Sequence, residues 1–412
     1  MTKSQRNGSV ELLRFLFTTI IIFFHINLDL WDQQKIVGEF FGAPVTFFKH
    51  GNIAVEFFFL VTGCLMAKSV YGKLCRSGRP GSCRPGSGHP GPFHAGACQP
   101  GSCHPGLSGR GTLPALAEET LQFVWHKARP ILPYYLTACA LTPVVRLVTN
   151  RALTIEYFAL RLPSLLFLQR TGLGKPFIGC TWYLSSMLLA LVFAYPLCRR
   201  FYRFYTHLAG PVLGCLLLWA IIAKTGSLGD IQDWFYITYK TNVRAFAEIS
   251  LGAAAFECSR FLQGRIRTCR GRLLLTAAAV LSLMLSIAYM CSEMSGFYAL
   301  PVTGLLFAAV SILFSGEGAL QHAGVFRHPV YAWLGAVSLP MYVSQTLLRM
   351  LVPHLFAKSG QWTQCFLIYL GTFLFAVILH EAIGLWGAKA RGSGVTEGTV
   401  TEGTVLLVTP KE

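Results

Sequence analysis

Three ionisable side chains interrupt the first apolar stretch of the sequence and are candidates for chemistry. Glu11, Arg14 and His25 stand among Phe, Ile, Leu and Thr residues in the segment ELLRFLFTTIIIFFH. On an α-helix the eleven residues from Arg14 to His25 turn through about 1100°, three turns plus 20°, with a rise of roughly 16 Å. Glu11 is displaced from His25 by only about 40°. We therefore expect the three side chains to share one helix face, directed at a protein interior or a cavity.

Histidine exchanges a proton near neutral pH more readily than other side chains, so His25 is a candidate base for a hydroxyl nucleophile. A purely structural interpretation is also open. Arg14 would then extend to the inner membrane surface with Glu11 as its partner, and His25 would cap the outer end of the helix beside Asn27 and Asp29. The same-face spacing of Arg14 and His25 favours the functional interpretation.

A further acidic residue, Glu56, opens the second apolar stretch, GNIAVEFFFLVTGCLMAK. It is a candidate partner for His25 or for a cation in the cavity. In the alternative interpretation, Glu56 is a carboxylate at the outer membrane boundary without a catalytic role. Thr62 and Gly63 permit a neighbouring helix to approach closely.

The elements that position these residues must lie in lipid. The chain has 412 residues, of which 53% are hydrophobic and 13% charged, with a mean hydropathy of +0.51. A soluble domain carries about 25% charged residues, so this composition excludes a set of soluble or disordered domains. We predict an all-α polytopic membrane protein.

Apolar stretches near the roughly 20 residues needed to cross a bilayer predict about ten transmembrane helices. The segment 152–170 is shorter and is predicted to lie along the membrane surface. The ten predicted spans are 10–30, 52–72, 131–149, 178–197, 208–226, 243–260, 273–292, 298–315, 329–352 and 363–386.

The formal charge of +17 follows the topology. With a cytoplasmic N-terminus, inner segments hold 22 Lys and Arg residues and outer segments hold 12, as the positive-inside rule expects. We predict that both termini face the cytoplasm, that the first stretch is a true span without signal cleavage, and that nucleic acid is not a partner.

Two stretches stand apart from the predicted helices. Residues 76–112 repeat Gly, Pro, Ser, Cys and His, which predicts a low-complexity cytoplasmic loop. Its Cys and His residues could bind a soft metal, but Pro and Gly leave the ligands without a rigid frame, so no metal is expected. Residues 387–412 are predicted to be a mobile cytoplasmic tail. The 13 cysteines show neither a disulfide frame nor a zinc-ligand spacing.

The motifs occur in an order that resembles a known family. Arg14 and His25 form an Arg, ten residues, His signature, and Glu56-Phe57-Phe58 leads to Thr62-Gly63. Later segments continue the pattern with Lys127, Arg129 and Pro133; with Trp182, Leu184, Ser185 and Pro196; and with Arg244, Glu248 and Gly252. Together they resemble the membrane-bound acyltransferase 3 family. The resemblance covers nearly all of 8–75 and 113–386, and we assign 1–75 and 113–386 to a transmembrane acyltransferase domain.

Two departures from the family pattern matter for the chemistry. Many members carry Glu soon after the Trp-x-Leu-Ser segment, where this chain has Ser186, Met187 and Leu188. Many also place His after the Ser-x-x-x-Tyr pattern, where this chain has Gln345. His25 is therefore expected to be the sole catalytic base.

The resemblance implies an integral membrane O-acyltransferase of the plasma (inner) membrane, among membrane lipids. Its members move acyl groups, often acetyl, to hydroxyls, so acyl-CoA, most often acetyl-CoA, is the expected donor. An envelope glycan or a lipid-linked sugar is the expected acceptor. Arg14, Lys127 and Arg129 are candidates to bind the donor phosphates. Trp182, Arg244 and Glu248 are candidates to bind the acceptor.

We assign His25 as general base, with Arg14 and Glu56 completing the catalytic set and Glu56 orienting or stabilising His25. A covalent acyl-histidine intermediate is the competing mechanism. A transporter or flippase of lipid-linked sugars is the alternative function, although the sequence lacks an internal repeat relating two halves. A membrane scaffold without chemistry would leave the polar stripe of the first span unexplained.

Overall fold

The structure is a computed structural model that describes residues 7–40, 42–77, 112–229 and 232–392. Most of the predicted low-complexity loop, 76–112, and most of the predicted tail, 387–412, therefore lie outside the described residues. The last helix continues to Gly392, which extends it past the predicted boundary at residue 386.

The long apolar runs of the sequence form helices, and the predicted all-α fold is confirmed. A π-helical turn, Tyr205–Ala209, joins the helix Tyr202–Phe204 to the helix Gly210–Thr225. The helices of the described chain are α1 (Gly8–Trp31), α2 (Ala54–Ser77), α3 (Leu113–Ala128), α4 (Leu132–Val148), α5 (Ile155–Ala159), α6 (Trp182–Arg200), α7 (Tyr202–Phe204), α8 (Gly210–Thr225), α9 (Lys240–Leu262), α10 (Cys269–Met290), α11 (Ala299–Ser315), α12 (Ala319–His322), α13 (Pro329–Leu355) and α14 (Gln361–Gly392).

Two short antiparallel hairpins, which the sequence patterns did not predict, lie in the loops that follow α1 and α8. The first pairs β1 (Ile36–Phe40) with β2 (Ala43–Thr46). Gly42, with φ +76, lies in its turn, where a residue without Cβ is favoured. The second pairs β3 (Trp234–Phe235) with β4 (Thr238–Tyr239).

Seven helical segments of the described chain are long and apolar enough to cross a membrane. The pair α3 and α4, bent by 58°, makes an eighth if it acts as one broken span. The prediction of ten spans is therefore not confirmed by length and composition. Two predicted spans, α9 and α13, are 23 and 27 residues long. However, α9 carries charged side chains and α13 carries polar ones and two internal prolines, which lower their hydropathy.

The segment predicted to lie along the membrane surface, 152–170, folds into two short pieces. Thr154 caps α5 by accepting a hydrogen bond from the Tyr157 backbone N–H at 3.1 Å. A 3-10 turn, Leu162–Leu166, follows. Neither piece is long enough to cross a bilayer as a helix.

Helix α9 is the centre of one half of the bundle and contacts α2, α6, α8 and α11. It approaches α2 closely where Gly63 and Gly252 face each other. A Cβ added to Gly63 would stand 2.8 Å from the carbonyl carbon of Ile249 and 3.0 Å from the Cα of Gly252. These glycines allow the two backbones to touch, as small residues commonly do between membrane helices.

Helix α13 is the centre of the other half and contacts α1, α4 and α14. Helix α1 lies between the halves, since Phe17, Ile20 and Ile21 join the larger hydrophobic core while Ile22 and Ile26 join a smaller core with α13 and α14. The candidate catalytic residues of α1, Arg14 and His25, therefore lie on a helix that packs against both hydrophobic cores.

Helices α1 and α13 run parallel. Glu11 lies against Gly335 near their beginnings, and Asp29 pairs with Arg349 near their ends. Parallel neighbours require an odd number of membrane crossings between them. The sequence predicts seven spans between these two helices, which is an odd number, and that count stays a prediction.

Candidate active site

His25 contacts α13 through one ring nitrogen. Its Nδ1 lies 2.9 Å from Oε1 of Gln345, whose side chain is fully buried. The two residues are 320 positions apart in the chain, and the parallel packing of α1 and α13 brings them together. Among the described residues Gln345 provides the side-chain hydrogen bond to the ring, and the backbone oxygen of Ile21 also interacts with it.

The Gln345 amide is itself held by α13 and by the turn before α6. Its Nε2 donates to the backbone oxygen of Tyr342 at 2.9 Å, and the thiol of Cys180 lies 3.4 Å from the same oxygen. The Tyr342 hydroxyl donates in return to the backbone oxygen of Cys180. This exchange fastens α13 to the start of α6, and the amide oxygen of Gln345 is left facing His25.

One turn beyond His25, an ion pair closes the end of the same interface. Arg349 donates from Nε and from a terminal nitrogen to the two carboxylate oxygens of Asp29 at 2.6 and 2.7 Å. Asp29 follows His25 by four residues and Arg349 follows Gln345 by four. The His25–Gln345 and Asp29–Arg349 contacts are therefore one helical turn apart between the two parallel helices. The bidentate ion pair fixes the register at which His25 meets Gln345.

Two cations, Arg14 of α1 and Lys127 of α3, lie near the opposite end of α1. A terminal nitrogen of Arg14 lies 3.6 Å from Oε2 of Glu11, which is too long for a hydrogen bond. Both that oxygen and Nε of Arg14 are buried without a hydrogen bond. Arg14 also interacts electrostatically with Lys127, whose ammonium stands 5.4 Å from the ring centre of Phe123.

The three predicted donor-binding residues are thus placed differently. Arg14 and Lys127 are half-buried and near each other, whereas Arg129 is exposed at the bend between α3 and α4. The cluster of Arg14 and Lys127 brings two positive charges together beside a single carboxylate.

Glu56 pairs with a cation other than His25. Its Oε1 lies 3.4 Å from a terminal nitrogen of Arg244, and Thr303 donates its hydroxyl proton to Oε2. Among the described residues no hydrogen bond or ion pair joins Glu56 to His25. The expectation that Glu56 orients His25 is therefore corrected in favour of the alternative, in which Glu56 pairs with a cation.

The predicted acceptor-binding residues lie together but are enclosed. Arg244 donates from Nε to Glu248 at 2.8 Å, and its guanidinium carbon stands 5.9 Å from the ring centre of Trp182. Arg244 and Glu248 are both fully buried. In this arrangement the three side chains tie α6 and α9 together, and an acceptor would have to enter the packed core to touch them. Their role toward an acceptor stays a prediction.

The described residues contain no group of three or more His, Cys, Asp or Glu side chains that could hold a metal ion. The Cys and His residues of the low-complexity loop between 78 and 111 lie outside the described ranges.

The sequence did not predict the contact between His25 and Gln345 or the residues around it. Gln345 was noted only as a departure from the family pattern, and Tyr342, Arg349 and Cys180 were not singled out. A usable signal was the equal spacing of four residues from His25 to Asp29 and from Gln345 to Arg349, which would align two polar rungs between parallel helices.

The match to a family model decides the identity. The model of the acyltransferase 3 family, described as an acyltransferase domain, matches residues 7–381. The chain belongs to the acyltransferase 3 family. No curated protein and no solved structure matches the chain. As a member of the acyltransferase 3 family the chain is an acyltransferase, and its apolar helices make it a multi-pass membrane protein.

Proposed function

We propose that this acyltransferase moves an acyl group, most often acetyl, from cytoplasmic acyl-CoA to a hydroxyl of an envelope glycan or another envelope molecule. The observation that carries the proposal is the placement of His25. One ring nitrogen is held by Gln345 at 2.9 Å, and no side chain among the described residues hydrogen bonds the other. A base needs this combination of fixed orientation and a free lone pair.

In this proposal the CoA phosphates of the donor bind at the cytoplasmic end of α1. The phosphates of CoA need cationic hydrogen-bond donors, and Arg14 and Lys127 form the half-buried cationic pair at that end. The pantetheine arm then follows α1 toward His25, over the roughly 16 Å that the helix rise gives. Arg129, which is exposed, assists only from the surface.

The reaction uses His25 twice. Its Nε2 takes the proton of the acceptor hydroxyl while that oxygen attacks the thioester carbonyl carbon. The tetrahedral intermediate then breaks its carbon–sulfur bond, and the departing CoA sulfur takes the proton from His25. The products are the acyl ester and free CoA, and His25 returns to its neutral form. Because a thioester is already activated, positioning and proton transfer are the main tasks left to the protein.

The topology completes the proposal. With the N-terminus in the cytoplasm of a cell whose plasma membrane holds the protein, Arg14 lies toward the cytoplasmic acyl-CoA pool and His25 toward the outer leaflet. An acceptor that arrives from the envelope then meets the donor thioester at His25.

Acyl-CoA turnover by the purified protein in lipid nanodiscs, with an envelope extract as acceptor, tests this function. We expect His25→Ala to lower the rate of CoA release by about 10²- to 10⁴-fold, the range for loss of a general base. His354→Ala, at an exposed position of α13, should keep the wild-type rate. Equal CoA release by wild type and His25→Ala would contradict the proposal and favour a carrier of lipid-linked sugars.

The acceptor is identified by mass spectrometry of the cell envelope with and without the gene. The expected result is the loss of one ester of short acyl chain length from a defined envelope component. An unchanged set of esters in cells that lack the gene would contradict an envelope acceptor.

A further inference from the structure

Gln345 occupies the contact that decides which nitrogen of His25 carries the proton. A neutral imidazole has one N–H donor and one lone-pair acceptor, and the partner of one nitrogen sets the state of the other. Only a neutral ring with its lone pair on the side that faces the acceptor can take a hydroxyl proton.

The orientation of the Gln345 amide follows from its second contact. The backbone oxygen of Tyr342 can only accept hydrogen bonds, so the group of Gln345 that lies 2.9 Å from it must be the NH₂ group. The amide oxygen then points the other way, toward Nδ1 of His25 at 2.9 Å. An amide oxygen can only accept, so Nδ1 must donate.

We propose that Gln345 is a positioning residue that holds His25 in the tautomer with its proton on Nδ1 and its lone pair on Nε2. This proposal rests on the proposed function of His25. Gln345 touches neither the donor nor the acceptor in it and acts only through His25. The side chain is fully buried and its amide is held at both ends, so it cannot turn over without breaking both bonds.

The charged and titratable groups near the His25–Gln345 contact have other partners. Arg349 acts electrostatically on His25, but Asp29 engages it in two hydrogen bonds and offsets its charge. The Cys180 thiol is directed at the Tyr342 backbone oxygen and at Thr346, and the Tyr342 hydroxyl at the backbone of Cys180. Gln345 is thus the described side chain that hydrogen bonds the ring, and the backbone oxygen of Ile21, which can only accept, also interacts with the ring.

The test compares two substitutions of similar size. Gln345→Met removes the acceptor that faces Nδ1, whereas Gln345→Glu keeps an oxygen acceptor there. We expect Gln345→Met to lower kcat on the order of 10- to 100-fold, by analogy with the loss of a hydrogen-bond partner of a metal-binding histidine, with little change in KM for acyl-CoA. We expect Gln345→Glu to retain most of the wild-type kcat.

A double substitution separates positioning from packing. In a His25→Ala background, Gln345→Met should lower the residual rate no further, because its effect passes through the imidazole. ¹⁵N NMR of histidine-labelled protein, with the His25 signals assigned by their loss in His25→Ala, should show Nδ1 protonated and Nε2 unprotonated in the wild type. In Gln345→Met the signals should move toward a mixture of the two tautomers.

Several results would overturn the positioning role. They are a wild-type kcat in Gln345→Met, an equal loss in Gln345→Glu and Gln345→Met, a further loss in the His25→Ala background, or a wild-type proton on Nε2. If His25→Ala itself keeps full activity, the proposed function fails as well. If His25→Ala is inactive and Gln345→Met is not impaired, only the role of Gln345 fails. Thermal unfolding of each variant identifies any loss that arises from misfolding.

Discussion

Arg244 on α9 and Glu56 on α2 form an ion pair at 3.4 Å in which both side chains are fully buried. Glu248, four residues along α9, takes a second and shorter contact from the same guanidinium at 2.8 Å. Thr303 adds α11 through its hydrogen bond to Glu56. The backbone oxygen of Leu228 accepts from the other terminal nitrogen of Arg244 at 3.0 Å. The backbone oxygen of Asn52 accepts at 3.3 Å from the terminal nitrogen that also contacts Glu56. The cluster around this guanidinium therefore joins three helices and two connecting segments.

This cluster is expected to stabilise the fold. When one partner of a buried ion pair is removed, the other charge is left buried without compensation, which costs about 3–5 kcal/mol. We expect Arg244→Met to lose a free energy of this size, and Arg203→Met, at an exposed position, to lose little. The unfolding midpoint of detergent-solubilised protein measures the difference. An Arg244→Met variant that unfolds like the wild type but no longer acylates its acceptor would instead support a role in acceptor binding.

The glycine contact between α2 and α9 leads to a second prediction. A methyl group on Gly63 would meet the α9 backbone near Ile249 and Gly252, so Gly63→Ala should force the helices apart at a cost of about 1–3 kcal/mol. Gly72, on the same helix, has no neighbouring atom within 4 Å of the corresponding position. Gly72→Ala should therefore be neutral or slightly stabilising. Equal unfolding midpoints for the two variants would show that the close approach is not required.

The long apolar helices could be predicted from the sequence because each depends on a local run of apolar residues, whereas α3, Leu113–Ala128, was not predicted. Helix α1 was predicted at 10–30 and observed at Gly8–Trp31, and the shared face of Arg14 and His25 follows from helix periodicity alone. The hairpin Ile36–Phe40 with Ala43–Thr46 was not predicted. Its strands are short and lie in a loop, where no apolar periodicity identifies them.

The partners of the site residues depend on which helices pack together, which the local sequence does not specify. Glu56 was left with two possible partners, and the packing of α2 against α9 supplies Arg244 in place of His25. Gln345 and His25 are 320 residues apart. Helix periodicity relates residues on one helix but carries no information about a contact of this kind.

The donor site yields a third prediction, based on the different placement of two neighbouring cations. Lys127 is half-buried beside Arg14 and Arg129 is exposed. Lys127→Gln should raise KM for acyl-CoA about tenfold, the effect of losing roughly 1.4 kcal/mol of phosphate binding. Arg129→Gln should change it little, because an exposed charge is screened by salt. Steady-state rates over a range of acyl-CoA concentrations measure both. Equal increases of KM in the two variants would place the CoA phosphates at the exposed surface of the bend between α3 and α4.

A fourth prediction distinguishes general-base catalysis from a covalent acyl-histidine. In the proposed reaction His25 acts only on a proton of the acceptor, so acyl-CoA without acceptor should give no rapid release of CoA. An acyl-histidine would release one CoA for each active site before acceptor is added, and this burst would be absent in His25→Ala. Rapid mixing with a thiol-reactive dye measures the release, and the intact mass of the protein shows whether an acyl group stays attached. A stoichiometric burst that depends on His25 would replace the general-base step with acyl transfer to Nε2. Acyl transfer to Nε2 would also need a free lone pair on that nitrogen. The proposed orientation of the ring by Gln345 would therefore be unchanged.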